Sequence, residues 1–145
     1  MVVSLPAAGG SANVLANLPN IAGSPGGLAV SHDGTTLLIA AGYPSLTLFQ
    51  VSSSGGTLTN ILPGGGFDFI SDVDIDPTGS TLFLGADGLD RILTVPATGG
   101  TPTVVPTGIA FADPVNVALS PDGSTLFVLD PNIGIDASGN GLPGA

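Results

Sequence analysis

The chain has 145 residues, 43% hydrophobic and only 8% charged, with 23 Gly, 13 Pro and a positive mean hydropathy, so it holds about one domain and suits neither a helical bundle nor a disordered segment. All 11 acidic residues are Asp, Glu and Lys are absent, and Arg91 is the only base, which gives a net charge of −10. A surface so poor in cations cannot neutralise a run of phosphates, which excludes nucleic acid and anionic membrane as partners and leaves cationic ligands, calcium above all.

The chain opens with Met1-Val2-Val3-Ser4-Leu5-Pro6, which lacks the basic stretch and long apolar core of a secretion signal. The expectation is a chain not exported by that route, or a mature or truncated one. No segment approaches the roughly 18 to 20 apolar residues of a membrane span. Without Cys there is no disulfide framework, thiolate metal site or thiol redox chemistry.

From here the elements repeat. Val3-Ser4-Leu5 alternates apolar and polar before Gly9-Gly10, and a weaker strand follows near Val14-Leu15. Leu28-Ala29-Val30 runs into the turn Ser31-His32-Asp33-Gly34, then Leu37-Leu38-Ile39. Phe49-Gln50-Val51 leads to Gly55-Gly56 and a weak strand at Asn60-Ile61-Leu62. The next round has Val73-Asp74-Ile75, the turn Asp76-Pro77-Thr78-Gly79, Leu82-Phe83-Leu84, Leu93-Thr94-Val95, Gly99-Gly100 and Val104-Val105. The last has Val117-Ala118-Leu119, Ser120-Pro121-Asp122-Gly123 and Leu126-Phe127-Val128. Turn glycines at 34, 79 and 123 set a period of 44 to 45 residues. Each round is two hairpins, strands A and B around the Asp/Thr-Gly turn and C and D around Gly-Gly. Pro19, Pro63 and Pro106 beside strand D suit an outer edge, where a missing N–H breaks no ladder.

Four short antiparallel strands in about 44 residues make a β-propeller blade. The expected fold is all-β and propeller-like, a single repeat domain (1–145) of about three four-stranded blades. Strands C-D occupy 2–18, blades 28–62 and 73–107, strands A-B 116–130, and a Gly-rich tail 131–145. The first and last blades are thus split across the termini.

Ser120-Pro121-Asp122-Gly123-Ser124-Thr125-Leu126-Phe127-Val128 resembles the SPDGxxLYV core of YVTN surface-layer repeats and lactonase-like propellers, with weaker copies from Ser31 and Asp76. The resemblance spans nearly the whole chain at the level of blades. It implies a propeller in which first and last strands share a blade. Lactonase-type enzymes on this fold bring catalytic His, Arg and Glu, which this sequence hardly offers, so no catalytic residue carries over and the expectation is a protein that is not an enzyme.

Propellers typically have four to eight blades, so three blades point to closure between chains. The A-B half would pair with the C-D half of a neighbour, with Val117, Leu119, Leu126 and Val128 meeting Val3, Leu5, Val14 and Leu15. The main expectation is a structural, self-assembling head-to-tail homopolymer, a filament or ring, extracellular or at the cell surface. The alternative is a ligand- or calcium-binding propeller module, or a piece of a longer propeller.

Calcium is the one cofactor the residues suggest. Asp72, Asp74 and Asp76 alternate along one face of strand A, where sister strands hold Gly27, Ala29, Ser31 and Asn116, Ala118, Ser120. Asp136, Ser138 and Asn140 with Gly141 open like a calcium loop, although the closing acid is missing. His32 stands where sister turns have Pro77 and Pro121 and reads as a turn filler, and Asp33 and Asp122 read as turn residues bonding nearby N–H groups. The aromatic loops Gly64–Phe69 and Ile109–Phe111 read as cover between blades, with a binding face on a rigid scaffold as the alternative.

Overall fold

A computed structural model describes residues 1–18, 25–41, 47–62 and 69–132. Among these, twelve strands form four antiparallel sheets in chain order. The first pairs β1 (Val2–Ser4) with β2 (Asn13–Ala16). The second runs β3 (Pro25–Val30), β4 (Thr36–Ala41), β5 (Thr47–Ser52) and β6 (Thr59–Asn60). The third runs β7 (Asp72–Ile75), β8 (Thr81–Ala86), β9 (Arg91–Pro96) and β10 (Thr103–Val104). The fourth pairs β11 (Asn116–Leu119) with β12 (Leu126–Leu129). These are a C-D half, two complete A-B-C-D meanders and an A-B half.

Local chemistry dictates the hairpins. At each A-B turn the glycine lies in the left-handed region (Gly34 φ 71°, Gly79 φ 75°, Gly123 φ 72°) and donates its N–H to the carbonyl of the first turn residue. The first turn residue also donates its N–H to the carbonyl five residues on, Ser31 to Thr36, Asp76 to Thr81 and Ser120 to Thr125, so each connection spans four residues with the glycine third. The strands then alternate: Val73 and Ile75 are buried on one face of β7, while Asp72 and Asp74 sit half-buried on the other.

The core lies between sheets. One cluster joins Val2 and Ala16 of the first sheet to Leu37, Ile39, Ala41, Phe49 and Val51 of the second. A larger one joins Ala29, Leu38, Ala40 and Leu48 of the second to Val73, Ile75, Leu82, Leu84, Leu93 and Val95 of the third. The second sheet is therefore apolar on both faces, as a blade stacked between two others requires, whereas the third turns Asp72 and Asp74 to its far side. Innermost strands lie side by side, β3 against β7 and β7 against β11.

Three local expectations shift. β6 ends at Asn60: Ile61 keeps one bond to β5, its N–H donating to the Leu48 carbonyl at 2.9 Å, while the Ile61 and Leu62 side chains enter the core and the Asn60 side chain accepts the Leu62 N–H at 2.9 Å. β3 begins three residues earlier than its apolar triplet, with an irregularity between Pro25 and Leu28. A single 3-10 turn, Asp87–Leu89, joins β8 to β9 and closes on Asp90 in the left-handed region (φ 54°). Pro106 follows β10, and Pro19 and Pro63 lie outside the described residues.

Candidate functional site

The acidic face of β7 turns towards the next blade. Asp72 Oδ2 accepts the Val117 N–H at 3.0 Å and the Asn116 side-chain amide at 3.1 Å. Asp74 Oδ2 accepts the Leu119 N–H at 2.7 Å, and its Oδ1 the Ile75 N–H at 2.8 Å. In β11 alternate N–H groups point away from β12, and Val117 and Leu119 carry two of them. The carboxylates therefore cap the free inner edge of the neighbouring strand.

Room for this comes from Gly27. A Cβ there would lie 2.7 Å from both the Asp72 Cα and the Val73 nitrogen. Ser71 adds a second tie, donating its hydroxyl between the carbonyls of Gly85 at 3.0 Å and Pro114 at 2.9 Å. Asp130 accepts the N–H groups of Ala112 and Asp113 and so anchors the connection into β11. Neither Ser71 nor Asp130 carried a signal in the sequence, since their partners are distant carbonyls and amides.

The three carboxylates of the expected calcium face have separate partners in the structure. Asp72 and Asp74 serve β11, whereas Asp76 turns into its own hairpin and accepts the Ser80 and Thr81 N–H groups at 2.7 and 2.8 Å and the Thr78 hydroxyl. Among the described residues no group of three metal-ligating side chains is placed to hold an ion. The second candidate, Asp136, Ser138 and Asn140, lies outside the described residues, as do residues 64–68 of the first aromatic loop. Phe69 and Phe111 are half-buried and Ile109 is exposed.

The three A-B turns are built from the same parts in two arrangements. Ser31 and Ser120 donate their hydroxyls to Asp33 and Asp122 at 2.6 Å and accept the Thr36 and Thr125 N–H groups. In the middle turn the acid comes first and the hydroxyl second, Asp76 and Thr78. The Ser31 hydroxyl, then the Thr35 N–H and hydroxyl, hold the Asp33 carboxyl down at about 2, and Ser120 and Ser124 do the same for Asp122, also about 2. Burial pushes Asp76 up, but bonds from Thr78, Thr81 and Ser80 outweigh it and leave the carboxyl below its ordinary value. Asp87 moves the other way, raised by burial and then by the negative charges of Asp113 and Asp90.

These turns share one rim. A groove of about 410 Å³ separates the first two, lined by Ser31, His32, Asp33 and Gln50 on one side and Pro77 and Thr78 on the other. A smaller one of about 170 Å³ continues past His32, Pro77, Ser120 and Pro121. His32 is an exposed turn residue within both.

The expected joint residues divide. Val3, Leu5 and Val14 are exposed. Leu15 instead packs against the core between the first and second sheets. Val117 is buried and pairs across with half-buried Val128, as Leu119 does with Leu126, so these four share the face that the third blade covers. The large apolar side chains exposed on that half-blade are Phe127 and Leu129, one position out of phase with the expected set.

The stacked four-stranded meanders define a β-propeller fold, and solved structures agree. The nidogen/laminin complex matches with a TM-score of 0.69 at 24% identity, over 83% of this chain and 44% of that one. A gluconolactonase from Xanthomonas campestris matches with 0.68 at 18% identity, over 88% and 40%. The hydrazine synthase of Kuenenia stuttgartiensis matches with 0.60 at 20% identity, over 83% and 34%. The chain thus spans less than half the length of these structures, and what it shares with them is the fold. No protein-family model and no curated protein matches the sequence. The likeness holds at the level of the propeller blade and does not single out the YVTN type. Among the described residues no helix is long and apolar enough to cross a membrane.

Proposed function

We propose that this chain is a β-propeller recognition module, not an enzyme, whose A-B rim takes a basic segment of another macromolecule. The observation that carries this is the groove between the first two turns, about 410 Å³ and lined by hydroxyls, an amide and a carboxylate on a rigid sheet scaffold. A net charge of −10 with one Arg and no Lys draws cations from a distance. In the groove the Asp33 carboxylate accepts bonds from Ser31 and Thr35 and serves its own turn, and the chain contains neither Glu nor Cys. A fold neighbour in complex with a second protein, nidogen with laminin, supports recognition as a use of this architecture. An extracellular or cell-surface setting belongs to the proposal, and a single tryptic site after Arg91 suits it.

The test is calorimetric titration with an octalysine peptide and, as control, an octaglutamate. Saturable octalysine binding that weakens with salt, and weakens again in the Asp33→Asn, Thr78→Ala double variant, is the expected result. Equal binding by wild type and variant would place recognition away from the rim and overturn this reading.

A further inference from the structure

We propose that the rim groove selects arginine, taking one guanidinium between the second and third sheets with the Asp33 carboxylate at its mouth and the Gln50 side-chain amide further in. This deepens the reading of the rim as a site for a basic segment and rests on it. Both walls belong to complete four-stranded blades, Asp33, Leu38 and Gln50 to one and Ile75, Thr78 and Ala97 to the other. The first argument is an amide without a partner. Gln50 is the only glutamine of the chain, and on β5 it stands opposite Leu38 on one side and Thr59 on the other. It shares the face of Leu48, which packs against the third sheet, so its half-buried side chain belongs to the gap between blades. At the same place in the next blade Thr94 stands opposite Thr103, and the two hydroxyls bond to each other at 2.9 Å. Gln50 and Thr59 form no such pair, and among the described residues the Gln50 amide has no hydrogen-bond partner. A half-buried amide in that state gains from an incoming donor.

The second argument is how the acceptors are spaced. Asp33 belongs to the exposed turn, whereas Gln50 lies two strand positions inward from the Thr36–Ser52 pair at the end of the sheet, a depth of roughly 7 Å. Asp33 Oδ1 accepts the Ser31 hydroxyl and the Thr35 N–H, but Oδ2 meets only the Thr35 hydroxyl at 2.9 Å and keeps room for a further donor. Leu38, Ile75 and Ala97 add apolar wall to the same groove, against which the stem of a long side chain packs. A carboxylate at the mouth and a neutral amide beyond it suit a planar guanidinium, which carries five donors on several edges and sheds water readily. A lysine ammonium is compact and strongly hydrated, so it stays with Asp33 at the solvent and gains nothing from Gln50.

The test is calorimetric titration of the full chain with octaarginine and octalysine. Octaarginine should bind about tenfold tighter, the worth of one hydrogen bond from a charged donor. Gln50→Thr, which copies the next blade, should bring the two peptides to equal affinity. Because Gln50 is the only glutamine, labelling glutamine side-chain nitrogen gives a single amide pair in the magnetic resonance spectrum of the unmodified chain. Octaarginine should shift that pair and octalysine should not, a readout that decides the matter even where the variant fails to fold. Equal affinities in the unmodified chain, a preference that survives Gln50→Thr, or an amide pair that octaarginine leaves in place overturns arginine selection. The rim reading then still stands if octalysine binding depends on Asp33 and Thr78. Binding of neither peptide overturns both.

Discussion

Asp74 on β7 accepts the backbone N–H of Leu119 on β11 at 2.7 Å, a bond between the innermost strands of successive blades, 45 residues apart in sequence. An inner strand of a blade has an unpaired edge, and here a carboxylate of the preceding strand satisfies it. Asp74→Ala should lower stability by about 1.5–3 kcal/mol, the range for a hydrogen bond to a charged group. Asp74→Asn, which keeps an acceptor oxygen, should lose about half as much. Urea midpoints at constant slope measure both.

The same carboxylates already accept the Val117 and Leu119 N–H groups, so an ion on β7 would have to displace them. Titration of the wild type with calcium chloride should give no binding heat that Asp72→Asn or Asp74→Asn removes. A saturable heat lost in either variant would show that the carboxylates exchange Val117 and Leu119 for the ion.

Gly27 and Gly34 should respond differently to alanine. Gly34 sits in open space with φ 71°, so Gly34→Ala carries only the left-handed penalty of about 1–2 kcal/mol. At Gly27 the added methyl meets the Asp72 and Val73 backbone, which can move only if β3 and β7 part. Gly27→Ala should therefore separate the second and third blades. Its signature is a larger loss of stability together with faster hydrogen exchange at the Val117 and Leu119 amides, which Gly34→Ala should leave unchanged.

The exchanged turn chemistry predicts a rescue. Asp76→Ser alone removes the only acid of its turn, and Thr78→Asp alone sets two carboxylates against each other; each should cost about 1 kcal/mol. The double variant recreates the arrangement of Ser120 and Asp122 and should recover most of that loss. A double-mutant cycle reads the coupling directly, and additive losses would show that the two turn types are not equivalent.

Acid should destabilise the protein over a defined window. Asp33 and Asp122 have folded values near 2 against an ordinary 3.8, so their contribution is complete above about pH 4 and is lost as the pH falls from there towards 2. Asp33→Asn with Asp122→Asn should flatten this limb in urea titrations taken at successive pH values. Asp87, raised by burial and by Asp113 and Asp90, has the opposite sign. Its ionisation opposes folding above its raised value, so Asp87→Asn should stabilise the protein at neutral pH and leave the limb below pH 4 unchanged.

Hairpins were readable from the sequence because their causes are local. A hydroxyl and a carboxylate two residues apart, a glycine free to adopt φ near 70° and flanking apolar residues at alternate positions lie within a dozen residues of one another. Strand ends were less legible. Ile61 and Leu62 look like a strand, yet after the Ile61 bond to Leu48 the chain turns both side chains into the core and the Leu62 N–H goes to the Asn60 side chain instead of the ladder. The 3-10 turn at Asp87–Leu89 follows from the path between β8 and β9, which no local motif announces.

By itself the sequence determined the all-β class, the period, the order of half-blade, two blades and half-blade, and the acidic surface, since all of these follow from composition and short-range pattern. Tertiary structure alone decided what the Asp residues of β7 do and which apolar side chains stay uncovered. Asp72, Asp74 and Asp76 form one alternating motif, but two of them meet amides of the next blade and the third meets its own turn. Val128 and Phe127 are adjacent apolar residues, yet one is half-buried and the other exposed. The physical reason is that a strand fixes only which residues share a face, whereas the partner of that face comes from another part of the chain.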